Sequence, residues 1–290
     1  MTMRQTLISF DLRGDFGVFK KPDVNEGLQL TFNILHKPAL LGILGAIAGL
    51  EGYQRRGVFP VYYQTLRDLK VGIEPLEHDK GNFVKTALKY TNTVGYANAD
   101  GNLIVTEQTL RLPSYRVYLL LDLDDAVQSL LHDRIWAAEA EYLPYFGKNE
   151  CSIWWDTETV QKYDFEPFVA TGDFQVNSIF IREDAVQSQQ VRRPRVSFAL
   201  RKVDKTIPFA YFERLPIDFY VGDPIEQEKS NLFSGSIQAK DLLTKPMKFV
   251  QYDLAEFAFT NWTLREDSVI DGLFQVHPTD GEQVQIVQLF

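Results

Sequence analysis

The chain has 290 residues, of which 45% are hydrophobic and 13% aromatic, a composition that excludes a disordered protein and allows a large buried core. Its single cysteine, Cys151, excludes an internal disulfide and a cysteine-based zinc site. The sequence shows no signal peptide and no apolar run near the ~20 residues of a membrane span, so we expect a cytoplasmic protein without membrane contact. The net charge of −9 argues against a surface covered with phosphate-binding groups.

The pattern of apolar residues predicts alternating strands and helices in the first half of the chain. The predicted elements are a strand over Thr6–Lys21, an extended segment Leu28–Ile34, a helix from Lys37 to about Tyr53, a β-rich segment Phe59–Leu76, a strand Ser114–Leu123, a helix Asp124–Leu143 and a strand Cys151–Trp155. We interpret Asp122, Asp124 and Asp125 as a helix cap and first-turn charges. This β-α-β-β-α-β order is typical of the ferredoxin-like fold of RNA-recognition domains, so the predicted class is α+β.

A long insertion and a β-rich tail accompany the predicted core. Residues 74–112 are too many for a hairpin turn, and they form a lid, a binding arm or a disordered loop; their apolar content favours an ordered arm. Later β-rich segments are Val196–Lys202, Ile207–Val221 and Met247–Leu254. The predicted organisation is a core of residues 1–73 and 113–190, a thumb-like β insertion at 74–112 and a smaller C-terminal β-rich region at 191–290.

The first predicted helix contains glycines, each of which costs about 1 kcal/mol relative to alanine. They are Gly42, Gly45, Gly49 and Gly52. The spacing of the first three leaves a helix face without side chains, which permits another backbone to approach. Two interpretations stay open: tight packing of the helix on the sheet, or access for a ligand backbone, with Lys37 and the helix N-terminus offering positive charge to a phosphate.

Four stretches resemble the Cas-five family of CRISPR type I Cascade subunits, within the RAMP superfamily. The first, "GDFGVFKKPDVNEGLQLTFNILHKPALLGILGAIAGLEGY", is similar to the family's first strand, extended segment and Pro-x-x-x-Gly-hydrophobic-hydrophobic-Gly helix. The others are "KYTNTVGYANADGNLIVTEQTLRLPSYRVYLLLD", "YLPYFGKNEC" and "FERLPIDF". The resemblance covers the N-terminal two-thirds well and about the last 70 residues poorly. Chain length and a missing Lys-His pair favour type I-B.

The resemblance implies a non-catalytic subunit that binds the 5′ handle of CRISPR RNA in antiviral defence. Such a subunit caps the Cas-seven backbone beside the large Cascade subunit, which reads the protospacer-adjacent motif of target DNA. Target DNA near that motif is a further partner that the resemblance suggests. The resemblance places the thumb at residues 74–112 and the glycine helix next to bound RNA. We expect no cofactor and no metal.

Recognition of an unpaired RNA handle needs cations for phosphates and aromatic or amide groups for bases. Residues 1–121 hold 14 Lys and Arg against 11 Asp and Glu, whereas residues 122–190 hold 4 against 14, so positive charge gathers in the parts that the family uses. The predicted RNA-binding residues are Lys20, Lys21, His36, Lys37, Gly42, Gly45, Lys80, Lys85, Lys89, Tyr90, Asn92, Gln108, Arg111 and Arg116.

Two alternative functions stay open. The first is a metal-independent endoribonuclease that processes CRISPR RNA, since Tyr53 falls where the family's catalytic tyrosine lies. The Lys-His pair of those nucleases is missing, because the corresponding stretch reads "TLRLPSY", so we do not expect an enzyme. The second is a ferredoxin-like partner-binding protein without an RNA role, whose glycine helix packs against a partner.

Overall fold

A computed structural model describes residues 4–22, 27–54, 58–91, 104–183, 198–199, 207–222, 249–279, 281 and 283–290. Within these residues the α-helices are α1 (Lys37–Ala48), α2 (Val61–Leu66) and α3 (Ala126–Ala137), with a short 3-10 helix at Thr157–Thr159. The strands of the first half are β1 (Gln5–Gly14), β2 (Phe16–Gly17), β3 (Phe19–Lys20), β4 (Leu28–Gln29), β5 (Thr31–Phe32), β6 (Lys70–Pro75), β7 (Lys85–Thr91), β8 (Ile104–Arg111) and β9 (Ser114–Asp122). Those of the second half are β10 (Ile153–Trp154), β11 (Gln161–Pro167), β12 (Phe180–Glu183), β13 (Phe198–Ala199), β14 (Ala210–Gly222), β15 (Phe249–Thr260), β16 (Thr263–Leu264), β17 (Leu273–Pro278) and β18 (Gln285–Gln288). The fold is therefore α+β.

The central sheet has the strand order β18-β17-β11-β1-β9-β6, with every neighbouring pair antiparallel and β10 paired to the end of β1. The sheet curls until its two ends meet. Phe290, just beyond β18, exchanges main-chain hydrogen bonds of 3.0 and 3.2 Å with Val71 of β6. A Cβ atom on Gly72 would lie 2.8 Å from the Gln288 main-chain oxygen, so glycine at this position permits the closure.

Helices cover one face of the central sheet. Ile8, Phe10 and Leu12 alternate along β1 and are fully buried in the main core together with residues of α1 and α3. The sheet β12-β15-β14 contributes Leu215 and Phe257 to the same core. On the other face, a second cluster joins residues of β1 and β9 to residues of β17 and β18. The C-terminal hairpin therefore covers the face that carries no helix.

Both long helices end earlier than the sequence predicts. α1 ends at Ala48, because Gly49 takes the left-handed conformation (φ 74°) and its N–H donates to the Ala46 and Gly45 carbonyl oxygens. α3 ends at Ala137, and Ala138 has a φ of 52°. The predicted cap is confirmed, since the Asp125 side chain accepts from two N–H groups of the first turn of α3. The predicted first-turn charges are wrong, because Asp122 and Asp124 precede the cap and the first turn of α3 has no acidic residue.

The β-rich prediction for Phe59–Leu76 is wrong in its first half, where Val61–Leu66 forms α2 and only Lys70–Pro75 forms a strand. The helix buries Tyr63 and Leu66, which lie three residues apart. The strand predicted at Cys151–Trp155 shortens to Ile153–Trp154.

The C-terminal part of the chain contributes to two sheets. Strands predicted at Ile207–Val221 and Met247–Leu254 are confirmed as β14 and β15, whereas most of Val196–Lys202 lies outside the described residues. The predicted separate region 191–290 also supplies β17 and β18 to the central sheet.

Candidate nucleic-acid interface

The predicted insertion contains a two-stranded arm formed by β7 and β8. The two strands are antiparallel: Lys85 lies opposite Leu110 at one end of the pair, and Thr91 lies opposite Ile104 at the other. The other edge of β8 pairs with the short strands β2 and β4. Every residue of β7 beyond Thr86 is exposed, whereas Glu107, Thr109 and Leu110 of β8 are buried, so β7 forms the solvent-exposed edge of the arm.

The register of the arm divides its side chains between two faces, since residues opposite each other in an antiparallel pair share a face. One face, here called the basic face, consists of Lys85, Ala87, Lys89, Thr91, Ile104, Thr106, Gln108 and Leu110. It carries two lysines, one carboxamide and no acidic residue. Three of the predicted RNA-binding residues, Lys85, Lys89 and Gln108, thus lie together, whereas Tyr90 and Arg111 lie on the opposite face.

Asn33 connects the base of the basic face to the body of the protein. Its Oδ1 accepts from the Lys85 Nζ at 2.7 Å and from the Phe83 N–H at 3.0 Å, while its Nδ2 donates to the Gly81 carbonyl oxygen at 2.8 Å. Burial lowers the pKa of Lys85, and the Glu213 carboxylate opposes this shift. Lys85 is therefore fixed in position by a structural hydrogen bond.

Lys21 reaches the same junction from the N-terminal segment. Its Nζ lies 3.0 Å from the Glu213 Oε1 and 5.0 Å from the centre of the Phe32 ring. The charge of Lys21 also lowers the pKa of Lys85. The Glu213 carboxylate thus pairs with Lys21 and raises the pKa of Lys85 through its charge.

The exposed predicted cations are Lys20, Lys80, Lys89 and Arg111. None of these four forms a salt bridge with another residue of the described ranges. Lys20 lies opposite Thr31 in the β3–β5 pair, and the Thr31 N–H donates to the Gln108 Oε1 at 3.4 Å. Lys20 thus stands next to the basic face.

The opposite face of the arm contacts the loop after α3. Lys148 lies 2.6 Å from the Glu107 Oε2 and 5.2 Å from the centre of the Tyr90 ring. Glu107 is buried, and Tyr90 is 46% exposed. The sequence reasoning missed Lys148, although it belongs to the quoted stretch "YLPYFGKNEC". Lys148 holds the arm against the body.

The side chains of His36 and Lys37 both form hydrogen bonds within the chain. His36 is buried among Phe19, Phe32 and Tyr252, and its Nδ1 accepts from the Ala39 N–H at 3.3 Å as the cap of α1. Burial lowers the pKa of His36 to about 3, so the ring is neutral. The Lys37 Nζ donates to the Phe290 main-chain oxygen at 3.0 Å. His36 is therefore not accessible to RNA.

The glycine face of α1 is covered by α2. A Cβ atom on Gly45 would overlap Tyr62 Cβ and lie 2.9 Å from Tyr62 Cγ, whereas one on Gly42 would meet the same ring at an ordinary 3.9 Å. Tyr53 is 62% exposed and shares a side-chain hydrogen bond with Tyr62. The bare face therefore packs against a helix, and not against the sheet or a ligand, the two interpretations that the sequence leaves open.

The last predicted residues lie away from the arm or outside the described ranges. Arg116 forms a two-pronged pair with Asp11, at 2.8 and 3.2 Å, on the helix-free face of the central sheet. Asn92 lies outside the described residues. Among the residues that are described, no group of His, Cys, Asp or Glu is arranged to hold a metal ion. No helix in those ranges has the length and apolar character needed to cross a membrane.

No protein-family model and no curated protein matches the chain. The structure is similar to those of several solved proteins at low sequence identity, among them the following three. A Cas protein is 17% identical over 50% of this chain and 57% of that chain, with a TM-score of 0.31. A CRISPR protein from Archaeoglobus fulgidus is 12% identical over 98% of this chain and 99% of that chain, with a TM-score of 0.43. A chain of a CRISPR RNA-guided surveillance complex is 13% identical over 88% of this chain and 90% of that chain, with a TM-score of 0.42. The chain thus spans just over half of the first of these proteins.

Proposed function

We propose that this chain is a non-catalytic Cascade subunit of Cas-five type, subtype I-B, which binds the 5′ handle of CRISPR RNA. The observation that carries the proposal is the basic face of the arm, where Lys85, Lys89 and Gln108 share one surface without an acidic residue. Lys20 and Lys21 adjoin this surface. Phosphates of a single strand need such a row of cations, and the acidic remainder of the protein leaves the arm as the favoured site.

The topology supports a ferredoxin-like core for this subunit. Along the chain the four core strands are β1, β6, β9 and β11. In the sheet they lie in the order β11-β1-β9-β6, so the fourth core strand is followed by the first, the third and the second. α1 lies between the first and second core strands, and α3 between the third and fourth. This arrangement follows the β-α-β-β-α-β pattern. The hairpin β17–β18 covers the helix-free face, so RNA binds on the arm in this proposal.

The arm also supports the proposed contact with the Cas-seven backbone. Large apolar side chains are exposed at its base and along both strands. They are Val84 (65% exposed), Leu88 (45%) and Ile104 (53%). An exposed apolar surface of this kind is typical of a protein-binding site, and a partner that covers it removes the apolar area from water. The large Cascade subunit is the second proposed protein partner.

The nuclease alternative has less support from the site. Tyr53 hydrogen-bonds another tyrosine, and the nearest histidine predicted from sequence, His36, is enclosed in the core with a depressed pKa. General acid–base cleavage of RNA needs a group that can reach the 2′-hydroxyl and change its protonation state. We therefore propose that the chain binds RNA without cutting it.

The test is an electrophoretic mobility shift of labelled CRISPR repeat RNA with the purified chain at two salt concentrations. A parallel lane without metal monitors cleavage. Binding that weakens with salt and leaves the RNA intact supports the proposal, because phosphate contacts release counterions. Cleaved RNA supports the nuclease, and absence of binding even with the Cas-seven subunit present refutes the RNA role.

A further inference from the structure

The face of the arm opposite the basic face carries the one aromatic side chain of β7 and β8, and we call it the aromatic face. It consists of Thr86, Leu88, Tyr90, Val105, Glu107 and Thr109. The Tyr90 side chain is 46% exposed, so a ligand can reach its ring. Glu107 is the only acidic residue of this face, and it is buried and paired with Lys148 at 2.6 Å. These two strands therefore place no unpaired carboxylate beside the ring.

Lys148 fixes the position of the Tyr90 ring. Its Nζ donates to the Tyr90 hydroxyl at 3.4 Å and lies 5.2 Å from the centre of the ring. The same ammonium donates to the buried Glu107 carboxylate, so three side chains form a chain of contacts from the interior to the exposed ring. A ring that is already ordered loses little conformational entropy when a flat ligand binds to it.

The turn that carries Lys148 is itself held in one conformation. Gly147 has a φ of 79°, and a Cβ atom at this position would overlap the Val18 carbonyl oxygen, so only glycine permits the close approach. The Cys151 N–H donates to the Lys148 carbonyl oxygen at 2.9 Å and closes the turn. Lys148 thus has a fixed position beside the arm.

The open edge of β7 lies between a cation and a ring. Among the described strands β7 pairs only with β8, so its outer edge is free. Lys89 and Tyr90 are consecutive residues of β7, and their side chains point to opposite faces of the arm. A single strand of RNA that bends around this edge meets an ammonium on one side and an aromatic ring on the other. Proteins that bind single strands combine these two groups, cations for the backbone and rings for the bases.

We propose that the aromatic face binds one unpaired nucleobase, stacked on the ring of Tyr90. The inference rests on the proposed RNA-binding function and adds a base contact to the phosphate contacts of the basic face. Stacking uses the flat face that every base has, so the site favours bases over a bare backbone and discriminates little among bases. The bound strand therefore holds its phosphates on one side of β7 and a base on the other.

The test compares two fluorescein-labelled octamers by fluorescence anisotropy, using the full chain at low salt. One is octauridylate, whose bases stack weakly on one another, and the other is an octamer of abasic sugar phosphates. We expect Tyr90→Leu to weaken binding of octauridylate about five- to tenfold, the low end for the loss of one stacked base, and to leave binding of the abasic octamer unchanged. Tyr90→Phe keeps the ring and should stay within about twofold of the wild type for octauridylate.

The matched control is Tyr142→Leu, which removes a 53% exposed tyrosine from the loop after α3. It should change the affinity for neither octamer. Melting curves of each variant check that its fold is retained.

The outcomes separate the stacking site from the proposed function. An unchanged ratio of the two affinities in Tyr90→Leu, or equal affinities in the wild type, overturns the stacking site and leaves the RNA-binding function intact. If Tyr90→Leu keeps the ratio but loses association with the Cas-seven subunit, the ring belongs to a protein contact, and the stacking site is overturned as well. A wild type that binds neither octamer, alone or with the Cas-seven subunit, overturns the proposed function together with the stacking site.

Discussion

Glu213 of β14 lies against Asn33, whose main-chain N–H donates to both carboxylate oxygens, at 3.2 and 3.0 Å. The Ile34 N–H donates to the same carboxylate at 3.2 Å. The two residues are 180 positions apart in the sequence, so this contact ties a C-terminal strand to the segment that precedes α1. Through the Asn33 side chain it also reaches Lys85 at the base of the arm.

Replacement of Glu213 therefore tests how the fold holds the arm. In Glu213→Leu two main-chain N–H groups lose their acceptor and Lys21 loses its partner, so we expect the free energy of unfolding to fall by about 3 kcal/mol. Urea denaturation measures the change. The control is Glu256→Leu, which removes a more exposed pair with Arg182 at 3.4 Å and should cost less than about 1 kcal/mol. Equal losses in the two variants would contradict the prediction.

The buried His36 predicts a specific pH dependence of stability. Its pKa falls from 6.5 to about 3 on folding, because burial disfavours the charged ring. The unfolded state therefore binds more protons between these pH values. The stability contributed by the neutral ring is complete above pH 6.5 and declines as the pH falls toward about 3. Between pH 7 and pH 5 this amounts to a loss of about 2 kcal/mol.

The variant His36→Asn isolates this effect, since asparagine can cap α1 but does not titrate. We expect urea denaturation of the variant to show a smaller loss of stability between pH 7 and pH 5 than the wild type shows. An identical pH dependence in both proteins would mean that other groups cause the acid sensitivity.

The two glycines that face Tyr62 predict opposite effects of the same substitution. A methyl group at Gly45 meets the root of the Tyr62 side chain, which cannot swing away, so Gly45→Ala should lower the free energy of unfolding by about 1–3 kcal/mol. At Gly42 the nearest ring atoms are 3.9 Å away, so Gly42→Ala should raise it by roughly 0.5–1 kcal/mol through helix propensity. Thermal melting of the two variants checks the signs. A stabilised Gly45→Ala would refute the packing of α2 on this face.

Sequence reasoning located the strands whose signals are local. β9 combines β-branched and aromatic residues after Pro113, and its predicted and observed bounds differ by one residue. α2 was missed because its composition favours a strand, while Tyr62 is fixed by packing on Gly45. The same contact between Tyr62 and Gly45 makes α2, and not the sheet, the packing partner of the glycine face of α1.

The candidate site was harder to predict than the fold, because the sequence does not show which lysines are already engaged. Lys21, Lys37 and Lys85 look equivalent to Lys89 in the sequence. The structure engages the first three with Glu213, Phe290 and Asn33, respectively. The Lys37 contact spans 253 positions, beyond the reach of any local pattern.

Lys89 is the clearest test of RNA binding by the arm, because it is exposed on the basic face and forms no salt bridge with a described residue. If it contacts a phosphate, Lys89→Gln should weaken binding of repeat RNA about fourfold near physiological salt and reduce the salt-dependence slope by about 0.7. Lys70→Gln on β6 is the matched control, since that ammonium lies 5.8 Å from the Phe274 ring centre in another part of the molecule. Mobility shifts over a salt series give both quantities. Equal weakening of RNA binding by the two variants would indicate nonspecific electrostatic attraction and would contradict a specific RNA contact of the arm.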